Sequence, residues 1–92
     1  MRLQVKVRIP LNLQRLTGEN VLVSAEGRTV AECIEDLEAR FPGFRDGICD
    51  AEGQIRDFYE IFVNGKSAYP EELTAPLRDG DELFIALLVA GG

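Results

Sequence analysis

Apolar and polar side chains alternate along the first ten residues of the chain. Polar residues separate the apolar ones, which are Leu3, Val5, Val7 and Ile9. A period of two is typical of a β-strand with one buried face. Pro10 ends the pattern because proline lacks the N–H that a ladder position would donate. The sequence therefore predicts a first strand over residues 3–9.

A second strand is predicted after a long loop. Residues 11–20 contain the turn-forming residues Gly18 and Asn20. The next five residues form the strand, and the residues that share one phase in it are Val21, Val23 and Ala25. Two successive strands joined by a loop favour a hairpin.

The main helix is predicted to begin after Thr29. Thr29 at the N-cap and Glu32 three residues later form a capping box. Apolar residues then recur at helical spacing and form one stripe, which consists of Val30, Cys33, Ile34, Leu37 and Phe41. We expect the helix to end at Phe41-Pro42-Gly43, because residues before proline disfavour helical backbone angles and glycine suits a C-terminal cap.

The segment after the helix lacks a clean period. We interpret residues 44–57 as a short helical turn followed by a loop or short strand at 54–56. Residues 58–63 predict a strand because they are rich in aromatic and β-branched side chains. Asn64-Gly65 follows at once and is the strongest short signal for a hairpin.

The last quarter of the chain predicts a return to the sheet. A brief strand is expected over 66–68, and a turn or 3₁₀ segment over 69–73. Residues 78–81 indicate a tight turn that needs a positive φ at Gly80. Residues 81–88 then predict the final strand.

These elements predict an α+β fold in which one main helix crosses a mixed sheet of four to five strands. The right-handed crossover rule and burial of the helix favour a central last strand that runs parallel to the first. This arrangement is a β-grasp, or ubiquitin-like, fold.

Composition narrows the class of protein. A chain of 92 residues with 46% apolar content is expected to form one domain over 1–92. Its net charge of −6 disfavours nucleic acid and anionic membranes as partners and favours a basic protein. No apolar run reaches the ~20 residues that span a bilayer, and no signal peptide is evident. We therefore expect a soluble, cytoplasmic protein.

The residues that usually carry catalysis are scarce. The chain has no histidine, and the spacing of Cys33 and Cys49 fits neither a zinc ribbon nor a redox pair. We interpret Cys33 as a core residue and Cys49 as partly buried. A run of acidic residues on the helix, Glu35, Asp36 and Glu38, is interpreted as a solvated face and not as a metal site.

The chain ends in Val89-Ala90-Gly91-Gly92, directly after a predicted strand. Glycine lets a partner approach the backbone from every side, so these residues can form a flexible, reactive tip. The alternative is an inert, frayed terminus.

The order and spacing of the motifs resemble the ubiquitin-like sulfur carriers of the MoaD/ThiS family. The residues that carry the likeness are the helix over 29–42, the hairpin over 61–65, the segment over 76–82 and the terminal 89–92. The segments at Thr17-Gly18 and 42–44 look more like the MoaD branch, which includes carriers for cysteine synthesis. Leu87-Leu88 occupies the place where many relatives have proline before the tail.

The resemblance implies a carrier and not an enzyme. In that family a ubiquitin-activating-like adenylyltransferase uses ATP and magnesium to adenylate the last glycine, and a sulfur donor displaces AMP to leave a thiocarboxylate. A second, sulfur-accepting biosynthetic enzyme then takes the sulfur, for molybdopterin or cysteine synthesis. Gly92 would carry the sulfur, and Gly91, Ala90 and Val89 would thread into both active sites. No cofactor, metal or catalytic residue is expected in the carrier itself.

One face of the sheet is a candidate docking surface. If Leu83 and Ile85 point into the core, the residues of the opposite phase emerge on the other face. This predicted docking face consists of Phe58, Phe62, Phe84 and Ala86, near Lys6 and Arg8. Glu60 and Glu82 would steer a basic partner toward it. Cover by residues 44–57 or by a second copy of the chain is the alternative.

Two other functions use the same features. A ubiquitin-like modifier would join Gly92 to lysines of target proteins. A structural or binding subunit would share only the fold.

Overall fold

The structure, a computed structural model, describes residues 3–88. The predictions for Val89, Ala90, Gly91 and Gly92 lie outside these residues. The five strands are β1 (Gln4–Arg8), β2 (Leu22–Glu26), β3 (Tyr59–Val63), β4 (Lys66–Ser67) and β5 (Glu82–Leu87). The α-helices are α1 (Val30–Arg40) and α2 (Phe44–Ile48), and 3₁₀ helices cover Leu11–Thr17 and Glu72–Thr74.

The strands form one mixed sheet in the order β2-β1-β5-β3-β4. β5 pairs in parallel with β1, with Val7 opposite Leu83, and in antiparallel with β3, with Ile61 opposite Ile85. β2 and β4 are antiparallel partners at the two edges. The last strand is therefore central and parallel to the first, and the predicted β-grasp fold is confirmed.

Helix α1 covers one face of this sheet. Its N-cap Thr29 accepts a hydrogen bond from the Glu32 N–H at 3.2 Å, as predicted. The Glu32 carboxylate accepts from the Arg28 N–H at 2.8 Å instead of closing on the cap residue itself. The core between helix and sheet includes Val5, Val7, Ala25, Val30, Cys33, Ile34, Leu37, Tyr59, Ile61, Leu83 and Ile85. Fully burying one such aliphatic side chain stabilises the fold by roughly 1.5–3 kcal/mol.

A polar network fixes the start of β5. Gly80 has φ 88°, the left-handed conformation that the sequence predicts for this turn. The Asp79 carboxylate accepts from the Gln4 N–H at 2.9 Å. The Asp81 carboxylate accepts from the side chain of Asn64 at 2.9 Å and from the backbone N–H before the turn, and these bonds lower its pKa. The hairpin that follows β3 and the beginning of β1 are thereby tied to one end of β5.

Two local predictions were wrong. The stretch predicted as a loop over 11–20 contains the 3₁₀ helix Leu11–Thr17, which ends at Gly18 with φ 65°. This helix buries Leu13 and Thr17. Packing of these side chains against the core stabilises a helix that the local sequence pattern does not predict. Strand β2 begins at Leu22, and Val21 is 57% exposed instead of sharing the buried phase.

Side chains of α1 cover the open edge of β2. The Asp36 carboxylate accepts from the Glu26 N–H at 3.0 Å. The Arg40 guanidinium donates to the Ser24 carbonyl and to Asp36. An uncovered strand edge is a template for pairing with another chain, so these bonds protect β2. Within residues 3–88, no helix is both long enough and apolar enough to span a membrane.

Replacing Asp36 with alanine tests this edge. The Glu26 N–H then loses its acceptor, and a hydrogen bond of this kind contributes about 1 kcal/mol. We expect amide hydrogen exchange at Glu26, measured by NMR, to accelerate roughly fivefold. The control is Glu35→Ala, which removes the 2.8 Å pair with Arg45 on the same helix without touching β2. Equal exchange at Glu26 in both variants would contradict the assignment.

Candidate functional site

The strand directions bring the ends of four strands to one rim of the sheet. Because β1 and β5 are parallel and β2 and β3 run the other way, the ends of β1 and β5 lie beside the starts of β2 and β3. We call this edge the tail rim, since Leu88, the last described residue, lies there. The Leu88 N–H donates to the Phe58 carbonyl at 2.8 Å, so pairing with β3 extends to the last described residue.

Exposed apolar side chains concentrate at the tail rim. Those that flank the ends of its strands are Val21, Leu22, Phe58, Leu87 and Leu88. The opposite rim is polar and includes Gln4, Glu26, Asn64, Asp79 and Asp81. A contiguous exposed apolar region on a soluble protein marks an interaction site. The surface chemistry of the described chain therefore points to the rim from which the tail leaves.

The predicted docking face lies on the side of the sheet away from α1. Phe84 is 44% exposed and stands between Arg8 on β1 and Phe62 on β3. The Phe62 and Phe84 rings are 6.0 Å apart, so Phe62 is only partly exposed. Ala86 is also partly exposed, opposite Glu60, and Phe58 is 46% exposed beside Leu88. The structure thus brings these four residues together on one surface.

Charges border this apolar surface. Lys6 and Arg8 are exposed on the same face, next to β5. The Arg8 Nε donates to the Glu82 carboxylate at 3.3 Å, so part of the charge of Glu82 is compensated within the protein. Such an exposed pair contributes at most about 1 kcal/mol to stability. Glu60 forms no ion pair or hydrogen bond through its side chain within residues 3–88.

The sequence reasoning did not include Leu22 and Leu88 in this surface. Leu22 pairs with Arg8, and therefore continues the row of Phe62, Phe84 and Arg8 onto the edge strand. The alternation along β2 shows that Leu22 is on the opposite face from Val23 and Ala25. Placing Leu22 beside Arg8, however, requires the register between β2 and β1. The sequence places Leu88 in the final strand but does not predict that its side chain is exposed beside Phe58.

Comparison with known proteins places the chain in a family. A model of the ThiS family matches residues 7–92. The chain belongs to the ThiS family. The predicted likeness to ubiquitin-like sulfur carriers is therefore confirmed over almost the whole sequence.

Three relatives of this ThiS-family chain are informative. The sulfur carrier protein CysO of Mycobacterium tuberculosis (strain ATCC 25618 / H37Rv) is 36% identical over 93 residues, covering 98% of this chain and 100% of that protein. A chain in the crystal structure of the Amycolatopsis orientalis BexX/CysO complex is 37% identical with a TM-score of 0.87, covering 96% of this chain and 99% of that one. The solution structure of the small archaeal modifier protein 1 from Methanosarcina acetivorans is 25% identical with a TM-score of 0.79, covering 100% of this chain and 99% of that one.

These relatives bear on the predicted function. The prediction of a sulfur carrier is confirmed, because the family match is joined by full-length similarity to a protein named as such a carrier. Carriers of this kind are substrates of enzymes and not enzymes themselves. The BexX/CysO crystal structure shows that a relative binds a partner protein.

The two cysteines of this ThiS-family protein are both free thiols and both buried. Cys33 is fully buried in α1, and its Sγ is 4.0 Å from the Gly27 carbonyl. Burial, and next the nearby carboxylate of Asp36, raises the pKa of Cys33 to about 11. Burial also raises the pKa of Cys49. Both thiols are therefore protonated and poorly nucleophilic at neutral pH.

The acidic residues of α1 have structural partners. Glu35 pairs with Arg45, and Asp36 pairs with Arg40. Glu38 accepts from the backbone N–H groups of Gly43 and Arg45, and these bonds lower its pKa. Among residues 3–88, no group of three or more Asp, Glu, Cys or His side chains is arranged to hold a metal ion.

The pKa of Cys33 makes a prediction about stability. Because the folded-state pKa lies above the ordinary value of 9.0, the buried thiol stabilises the fold fully below pH 9.0. This contribution is lost as the pH rises toward about 11. We expect the free energy of unfolding, measured in urea, to fall more between about pH 8 and about pH 10.5 in the wild type than in Cys33→Ala.

The alanine variant is the control because every other ionisable group is the same in both proteins. It is expected to be less stable at every pH, since it leaves a cavity. The decisive quantity is the difference between the two pH slopes. Identical slopes would show that Cys33 ionises as readily in the folded chain as in the unfolded one.

Proposed function

We propose that this chain carries sulfur on Gly92 as a terminal thiocarboxylate, for use in cysteine synthesis. The observation that carries the proposal is the apolar tail rim around Leu88, which gives an enzyme a surface to hold beside the tail. Similarity to CysO supports the cysteine branch over the molybdopterin branch. A location in the cytoplasm stays a prediction from the sequence.

The proposed chemistry has two steps at Gly92. The terminal carboxylate attacks the α-phosphorus of ATP and releases pyrophosphate, which gives an acyl-adenylate. Hydrosulfide then attacks the acyl carbon, and AMP leaves to give the thiocarboxylate. The activating enzyme supplies ATP, magnesium and the catalytic groups.

The carrier contributes position and access. Gly91 and Gly92 have no side chains, so the tip fits a narrow channel where water is excluded. The docking face holds the body of the carrier while Val89 and Ala90 span the channel. Holding the acyl group in place converts a bimolecular reaction into an effectively unimolecular one.

A second candidate is a ubiquitin-like modifier joined to lysines through Gly92. It is favoured by the similarity to the small archaeal modifier protein 1, at 25% identity. Both functions need the same tail and the same activation. A modifier would form ladders of conjugates on other proteins in a native lysate, whereas a carrier would remain a single species.

Intact mass spectrometry of the protein from its native host tests the carrier function. We expect a species heavier by the exchange of one oxygen for sulfur. The matched variant carries one additional alanine after Gly92, which moves the carboxylate away from the glycine tip. We expect it to fold normally and to gain no sulfur, and full sulfur loading of this variant would overturn both tail-based functions.

Replacing Phe84 with alanine tests the docking face. Phe84 is 44% exposed, so its truncation removes partner contact with little loss of stability. We expect the KM of the host adenylyltransferase for the carrier to rise about tenfold, as for truncation of a central aromatic contact. The measurement is ATP–pyrophosphate exchange.

The apolar control for this experiment is Leu11→Ala. Leu11 is 79% exposed but belongs to the 3₁₀ helix and not to the sheet face. Its variant is expected to keep a normal KM. A larger effect at Leu11 than at Phe84 would place the docking surface on the 3₁₀ helix and not on the sheet face.

A further inference from the structure

A groove opens beside Leu88, on the side of β3 away from β5. Its volume is about 520 Å³, and Leu88 itself forms part of its wall. Residues 54–57 line one side, and Tyr69 and Pro70 line another. β4 covers β3 only opposite Phe62 and Val63, so the start of β3 is left open to this groove. The groove adjoins the docking face at Glu60, which lies opposite Ala86, and shares the tail rim with it.

The charge in the groove is predominantly negative. Asp57, Glu60 and Glu72 all contribute to its lining. Their side chains form no ion pair and no hydrogen bond within residues 3–88. Arg56 also lines the groove, but its guanidinium donates to the Asp46 carbonyl from Nε at 3.2 Å and from Nη2 at 2.8 Å. The groove lining thus carries three carboxylates without internal partners against the single positive charge of Arg56.

An exposed aromatic wall complements these carboxylates. The Tyr69 side chain is 74% exposed and stands beside Pro70 in the lining. The hydrocarbon stem of a lysine or arginine packs on such surfaces while its charged end stays polar. A cation within about 6 Å of an aromatic ring is also attracted by the ring face. The groove therefore fits a long basic side chain better than a purely apolar one.

Charge argues against the two occupants that the chain itself could supply. The tail ends in a carboxylate, which the acidic lining would repel. A second copy of the chain carries a net charge of −6, so association through an acidic groove is unfavourable. A basic side chain from another protein is the occupant whose charge complements the carboxylates of the lining.

We propose that this groove receives a lysine or arginine side chain of the enzyme that activates the tail. This inference rests on the proposed function, because the partner is identified as the enzyme that would adenylate Gly92. Four residues follow Leu88, and an extended chain of that length spans at most about 14 Å. The partner's reaction centre is therefore close to the groove, and a basic anchor there sets the line along which the tail enters.

Neutralising the groove tests the proposal. The variant Asp57→Asn, Glu60→Gln and Glu72→Gln keeps the size of each side chain and removes the three charges. We expect the KM of the host adenylyltransferase for the carrier, measured by ATP–pyrophosphate exchange, to rise roughly tenfold while kcat changes little. We also expect this KM to depend less steeply on salt, because rim charges act on association.

The matched control is the variant Asp46→Asn, Glu52→Gln and Glu71→Gln, which also changes one aspartate and two glutamates. All three residues are exposed and none of them lines the groove, so this variant removes the same three charges outside it. We expect it to leave KM and its salt dependence unchanged. Circular dichroism melting of both variants confirms that they are folded at the assay temperature.

The outcomes separate this proposal from the proposed function. If the wild type accepts sulfur but the triple variant keeps a normal KM and salt dependence, the groove proposal fails alone. If the wild type is never adenylated at Gly92, the proposed function fails. If deleting residues 89–92 shifts the NMR signals of Tyr69 and Ile55, or sedimentation shows a dimer lost in the triple variant, the occupant is the tail or a second copy and the proposal is overturned.

Discussion

The pairing of β5 between β1 and β3 is the constraint on which the rest of the structure depends. Its buried side chains, Leu83 and Ile85, meet the core below α1, and its backbone is bonded to a neighbour on each side. A strand held in this way cannot bend back before its end. Leu88, the last described residue, is therefore held at a fixed point on one rim by the pairing of the sheet.

The two ends of β5 differ in chemistry for this reason. Its start is held by side-chain hydrogen bonds among Asn64, Asp81 and the turn at Gly80, which need no partner protein. Its end carries exposed apolar residues that would be unfavourable in water if nothing else bound them. The polar groups of one rim are hydrogen-bonded within the protein, whereas the apolar side chains of the other rim remain exposed. The second rim is therefore the one suited to contact with a partner protein. Burial keeps the thiols of Cys33 and Cys49 protonated and poorly nucleophilic at neutral pH.

Much of this arrangement could be predicted from sequence. The alternation through Val5 and Val7, the cap at Thr29 and the hairpin at Asn64 are local signals, because each depends on neighbours in the chain. The 3₁₀ helix from Leu11 was missed because it forms where Leu13 and Thr17 find a place in the core. The acidic groove was also missed, since Asp57, Glu60 and Glu72 belong to three separate segments.

The sequence by itself determined the set of elements, the phase of the central strands and the family, since these depend on periodicity and on motifs read in order. The roles of Gly92 and its neighbours also come from the sequence alone, because they lie outside the described residues. Only the tertiary structure decided which exposed residues meet. Leu22 and Phe84 share a row through the register of two strand pairings, and Leu88 meets Tyr69 across a groove that no local pattern encodes. Surfaces of this kind depend on contacts between distant segments, and those contacts exist only after the core has fixed the strands side by side.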